Sequence, residues 1–288
     1  MIVITGGTGR FGAQVVEQLL RRVPAEQVGV SVREPGKAAG LAERGVRVRR
    51  GDFADPPSLA EAFEGATQVL VVSVDQLGEV AVAGHVAAVE AARDAGVKRV
   101  LYTSHQAAAE DSLFAAAPDH AATERHLAAT GTPFTALRNG FYAGTVPMLL
   151  GPALETGELV APADGPVSWT ERADLAEAAA VILADEGRFD GPTPPLTAPV
   201  ALDLEAVAEI LTEVTGRAIR RVVVADDEWV ASLTGHGVPA EQAELLLGMF
   251  HAARRGEFAA TAPDLEDLLG RPATSLRSVL EEHYERGV

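Results

Sequence analysis

Apolar positions along this chain follow two rhythms, and the first dozen residues show both. Ile2, Val3 and Ile4 form a short β-branched run suited to a central parallel strand, buried on both faces. After a glycine-rich turn, Phe11, Val15, Val16, Leu19 and Leu20 recur at spacings of three to four, which predicts an amphipathic helix from about Arg10 to Arg22. The alternation then repeats. Strands are predicted over 27–32, 46–48, 67–74, 98–103 and 133–137, with helices reaching from Pro56 to about Phe63, over 80–95 and over about 118–129. This βα order predicts an α/β fold with a doubly wound parallel sheet. Beyond Tyr142 the rhythm changes, because Gly, Pro and Ala become frequent from Ala143 to Pro166. That stretch suggests a small lobe over the sheet edge. Helices over 173–184 and 204–215 flank a proline-rich connection over 191–199, a short strand is predicted over 221–225, and helices and loops follow.

The turn between the first strand and helix reads Thr5-Gly6-Gly7-Thr8-Gly9-Arg10-Phe11-Gly12. Strand, glycine turn and helix in direct succession are the context of a dinucleotide site. Gly6 allows the tight turn, Gly9 lets backbone N–H groups approach a pyrophosphate, and Gly12 lets the helix lie close on the strand. The phosphate would then sit at a positive helix end. About 20 residues on, an acid would favour NAD and a cation NADP. The second strand ends on Arg33, with Lys37 a helical turn further, so two cations can converge on a 2′-phosphate. NADP(H) is therefore expected over NAD(H), the alternative being a solvated helix face, and Glu34 fits the start of a helix at Pro35.

Other candidates stand at predicted carboxyl strand ends, where ligands bind in doubly wound sheets. Asp52 and Phe53 close the third strand, and Asp52 reads equally as a turn residue. Thr103, Ser104 and His105 close the fifth and would face the nicotinamide. His105 is a candidate proton donor, or an ordinary polar surface residue. Asn139, Gly140, Phe141 and Tyr142 close the sixth and form a floor for a flat substrate, or a glycine bend packing two aromatics into the core. Trp169 follows nearby. His120 and Glu124 stand one helical turn apart with no third ligand in view, so a surface pair is expected there and no metal.

Composition excludes several chemistries. The 288 residues contain no cysteine, so disulfides and thiolate catalysis are out. The net charge of -17, from 24 basic and 41 acidic residues without a basic run, argues against nucleic acid. No apolar run approaches a membrane span. With the first strand starting at residue 2, no targeting peptide is expected, and a cytoplasmic location is the default. The residues four after Tyr102, Tyr142 and Tyr284 are Gln106, Val146 and Val288, so the Tyr-x-x-x-Lys dyad that reduces unactivated ketones is missing. Hydride transfer to a quinone remains open, since the oxyanion formed is delocalised. A P-loop and a Gly-x-Ser-x-Gly elbow are also missing.

Taken in order, ITGGTGRFG, VREPGKA, GDFAD, LYTSH and ALRNGFY resemble the NmrA-like atypical short-chain dehydrogenases, most closely the bacterial type 2 NADPH:quinone oxidoreductases. The resemblance implies a Rossmann domain with a smaller C-terminal α+β substrate lobe. Residues 1–142 would form the first, with 173–196 returning to it, and 143–172 and 197–288 the second. It implies that Gly6, Thr8, Gly9, Arg10 and Phe11 hold the pyrophosphate and Arg33 the 2′-phosphate. Asp52 and Phe53 would lie by the adenine, Ser73 and Thr103 along the dinucleotide, and Asn139, Phe141 and Tyr142 near nicotinamide and quinone. His120 stands where many relatives place a lysine. The expected activity is direct hydride transfer from NADPH, without flavin or metal, to a quinone or similar flat conjugated acceptor, and a homodimer is the expected assembly. Two alternatives stay open: a non-enzymatic NADP(H) sensor that binds a protein partner, and a tailoring reductase for aromatic metabolites.

Overall fold

The structure, a computed structural model, describes residues 1–285; residues 286–288, where the expected C-terminal lobe ends, lie outside the described residues. Nine strands are described: β1 (Ile2–Thr5), β2 (Val28–Val32), β3 (Arg47–Arg50), β4 (Gln68–Val71), β5 (Arg99–His105), β6 (Phe134–Asn139), β7 (Glu158–Pro162), β8 (Gly191–Pro192) and β9 (Arg220–Val224). The helices are α1 (Arg10–Leu19), α2 (Ala39–Glu43), α3 (Pro56–Phe63), α4 (Glu79–Asp94), α5 (Ala117–Thr130), α6 (Val146–Leu149), α7 (Ala153–Thr156), α8 (Arg172–Ala184), α9 (Leu204–Thr215), α10 (Asp226–Gly235), α11 (Ala240–Arg254), α12 (Asp264–Leu269) and α13 (Leu276–Glu285).

Seven strands form one sheet in the order β3-β2-β1-β4-β5-β6-β8, and every pairing is parallel. The order reverses between β1 and β4, so the crevice above their carboxyl ends is where a doubly wound sheet takes its ligand. Helices cover both faces, which is why the central strands are apolar without alternation. One core packs α1 and α8 against Ile4, Val30 and Leu70, the other packs α3, α4 and α5 against Val3, Val69 and Val100. A third core joins α9, α11 and α13 to the two-stranded parallel sheet β7-β9. Leu265 and Leu268 of α12 pack with the α1–α8 core and not with this lobe.

Several boundaries differ from the sequence reading. β4 stops at Val71 although the apolar run continues to Val74, because side-chain hydroxyls replace the strand ladder: Thr5 Oγ1 accepts from the Val72 amide at 2.8 Å and Thr103 Oγ1 from the Ser73 amide at 2.8 Å. β6 runs two residues past its predicted end, making Asn139 its last member. The proline-rich connection holds a two-residue edge strand, and β7 was not predicted at all.

Candidate functional site

The glycine turn is built as tightly as its spacing suggests. Gly6 has φ +60, its carbonyl accepts from the Gly9 amide at 2.8 Å, and a Cβ on Gly12 would lie 2.4 Å from that same carbonyl. Gly9 caps α1 without a side chain, and no acid occupies the first turn. The N–H groups of Arg10, Phe11 and Gly12 therefore have no acceptor within the helix and a positive helix end to present. The Phe11 ring itself is buried in the α1 core, so it can offer only its backbone, while Thr8 and Arg10 are exposed.

Arg33 is exposed and makes no hydrogen bond or ion pair among the described residues. Lys37 does not join it: its Nζ pairs with Glu34 at 2.7 Å, and that ammonium holds the Glu34 carboxyl below its usual range. Asp52 Oδ1 accepts from the Ala54 amide at 3.0 Å in a turn, and Phe53 packs edge-on to His85. Ser73 and Thr103 meet across the ends of β4 and β5, their hydroxyls 3.0 Å apart. Two buried polar groups near these strand ends make no close hydrogen bond: the Ser31 hydroxyl on β2 and the side-chain amide of Asn139 on β6, which meets the Tyr142 phenol only loosely. Such groups are costly, and ligands commonly satisfy them. A phosphate cradle kept open by glycine, an unpaired guanidinium and a buried amide together fit a dinucleotide lying across the switch point.

Beyond Asn139 the floor is aromatic. Gly140 is required there, since a Cβ would lie 2.3 Å from Thr170 Oγ1 and 3.0 Å from the Leu196 carbonyl. The turn it permits sends Phe141 into a cluster with His105, Phe114 and Phe258, with ring centroids 5.0–5.7 Å apart. Trp169 backs Phe141 edge-on at 5.5 Å and anchors its Nε1 on the Leu202 carbonyl, and Phe141, Phe258 and Trp169 are all buried in the core of the C-terminal lobe, so the glycine bend packs its aromatics inward. Arg172 lies over the Tyr142 ring, 4.6 Å from its centre, and burial raises the Tyr142 phenol above its ordinary pKa.

His105 is no surface residue. Burial among these rings pushes it down to about 4, and the Ala107 amide donates to its Nδ1 at 3.1 Å. The expected surface pair of His120 and Glu124 is likewise overturned, because that face of α5 packs against β5 and β6. Glu124 accepts from Ser104 Oγ at 2.6 Å and from Arg138 at 2.7 and 3.1 Å, while His120 Nδ1 lies 2.7 Å from the Tyr102 hydroxyl. Burial, with the neighbouring imidazoles, lowers His120 to about 3. Among the described residues no three His, Asp or Glu side chains converge as a metal site. Sequence reasoning missed Phe114, Phe258, Tyr102 and His85. Only Tyr102 carried a signal, as the one tyrosine inside a buried strand.

A profile of the NmrA-like family matches residues 1–284. Quinone oxidoreductase 2 of Escherichia coli (strain K12) is 35% identical over 279 residues, which is 96% of this chain and 96% of that one. The crystal structure of an Escherichia coli NADPH-dependent quinone oxidoreductase complexed with NADPH superposes with a TM-score of 0.91 at 34% identity, covering 99% of this chain and 100% of that chain. Triphenylmethane reductase of Citrobacter sp., complexed with NADP(H), gives a TM-score of 0.89 at 35% identity, covering 98% and 99%.

Proposed function

Since this chain belongs to the NmrA-like family, we propose that it is an NADPH-dependent oxidoreductase that reduces a quinone or a similar flat, conjugated aromatic acceptor. The observation that carries this reading is the glycine cradle and exposed, unpaired Arg33 at one set of strand ends, with the buried Asn139 amide beside a cluster of aromatic rings at the next. When bound, NADPH supplies the hydride. Gly6, Thr8, Gly9, Arg10, Phe11 and Gly12 hold its pyrophosphate through backbone N–H groups, and Arg33 binds the 2′-phosphate. Lys37, committed to Glu34, contributes positive potential at longer range. Asp52 and Phe53 flank the adenine side, Ser73 and Thr103 line the middle, and Asn139 orients the nicotinamide amide. Phe141, backed by Trp169, stacks on the acceptor, Tyr142 borders it, and His105 donates a hydrogen bond to it.

Two of the relatives support this reading by what they are named for: an NADPH-dependent quinone oxidoreductase and a triphenylmethane reductase. The finer expectations belong to this reading as well: a cytoplasmic homodimer that binds no nucleic acid. No helix among the described residues is long and apolar enough to cross a membrane. The purified protein is expected to oxidise NADPH faster than NADH when a small quinone is added. No turnover above the blank with a panel of quinones would sink the proposal.

A further inference from the structure

The ring of His120 lies nearly parallel to that of His105, at 19° with centroids 6.2 Å apart. Which nitrogen of His120 carries the proton is decided from the far side of the core. The Val74 amide, which can only donate, points at His85 Nε2 at 3.1 Å, so the His85 proton is on Nδ1. That nitrogen lies 3.1 Å from Thr123 Oγ1 and 3.3 Å from the Tyr102 hydroxyl. Thr123 already donates to the Asp119 carbonyl at 2.9 Å, so it accepts from His85, and Tyr102 accepts on the same side. The Tyr102 proton is left to go to His120 Nδ1 at 2.7 Å. Every donor in the chain points one way, and His120 ends as the Nε2–H tautomer. The Ala107 amide on Nδ1 fixes His105 in the same tautomer. Neither Nε2 has an acceptor among the described residues.

We propose that these two N–H groups form a donor pair for the carbonyl oxygen of the acceptor, with Tyr102 and His85 as positioning residues that hold His120 in its donating tautomer. This rests on the reading that the cage takes a flat acceptor. Two-electron reduction of a conjugated carbonyl leaves negative charge on oxygen, and water supplies the proton that completes the alcohol or phenol. Fixed donors aimed at that developing charge stabilise it without reorganising, and a neutral imidazole serves this purpose well. The substrate class is therefore conjugated carbonyl compounds such as quinones. An acceptor that is a delocalised organic cation becomes neutral on reduction and needs no such pair.

The test compares a small quinone with a cationic triarylmethane dye in His120→Phe, which keeps the stacking but not the donor. The quinone kcat is expected to fall about 10- to 100-fold with KM nearly unchanged, and at least about ten times further than the dye rate. His120→Gln, which restores an N–H, should recover part of the loss. Tyr102→Phe should lower the quinone kcat severalfold. Independently of turnover, ¹⁵N NMR of histidine-labelled protein should show His120 as the Nε2–H tautomer and a mixture in Tyr102→Phe. Equal losses with both acceptors, an unchanged quinone rate, or a proton on His120 Nδ1 in the unmutated protein each overturn the inference. If the unmutated protein reduces neither acceptor, the functional reading fails and takes this inference with it. If it reduces the quinone and His120→Phe does so equally, only this inference falls.

Discussion

Replacing Gly12 by Ala adds one methyl group where backbone stands in the way. The new Cβ would lie 2.4 Å from the Gly6 carbonyl oxygen, 2.9 Å from its carbon and 3.3 Å from Gly7 Cα. Ordinary contact begins near 3.4 Å, so α1 must back away from the turn by up to about 1 Å, and no rotamer change can relieve it. Overpacking of this kind costs about 1–3 kcal/mol. Alanine's better helix propensity offsets up to about 1 kcal/mol, leaving a net loss of up to about 3 kcal/mol. The same displacement carries the Arg10, Phe11 and Gly12 N–H groups off the phosphate, so NADPH affinity should fall about tenfold, equivalent to roughly 1.4 kcal/mol. Urea unfolding followed with and without NADPH separates the two effects, because the second appears only as a smaller ligand-induced shift. Gly40→Ala is the control: it lies in α2 with nothing within 4 Å of the added methyl, and should stabilise by up to about 1 kcal/mol. Gly12→Ala with unchanged stability and unchanged NADPH affinity would refute the close-packing account of the turn.

Three further outcomes are expected. Arg33→Ala should weaken NADPH binding about 10- to 100-fold and leave NADH binding nearly unchanged by isothermal titration; equal weakening would make Arg33 structural. Glu124→Ala strands the Arg138 guanidinium, whose side chain is 32% exposed, and should cost about 2–3 kcal/mol of unfolding free energy, whereas a loss below about 0.5 would mean that the ion pair is solvated. Burial lowers His85 from 6.5 to about 4, so the unfolded chain binds the extra proton first. Its contribution of about 3 kcal/mol is complete above pH 6.5 and is lost as pH falls towards 4. His85→Gln should flatten that part of a stability-versus-pH curve, and an unchanged slope would show that His85 does not carry it.

The fold was legible because a parallel sheet buried on both faces writes itself as apolar runs, and β1, β2, β5 and β6 are such runs. The phosphate turn was legible because glycine is needed there for steric reasons. The acceptor cage was only half legible. Phe141 follows its strand directly, but Phe258 lies after α11, far along the chain, and reaches His105 only through tertiary packing. β7 was hidden because its partner β9, itself legible as a short apolar run, lies some sixty residues on. His120 misled because helical spacing shows which residues share a face but not whether that face looks inward.

The outermost strands of the seven-stranded sheet carry a further meaning. At one end β3 reads Arg-Val-Arg-Arg, and at the other β8 is two residues long and finishes on a proline. A bare strand invites another chain to add itself, whereas clustered charge, brevity and a missing N–H all discourage it. The sheet is therefore sealed against elongation at both flanks. Growth by strand addition to this sheet is thereby disfavoured, and contacts between copies are directed to other surfaces.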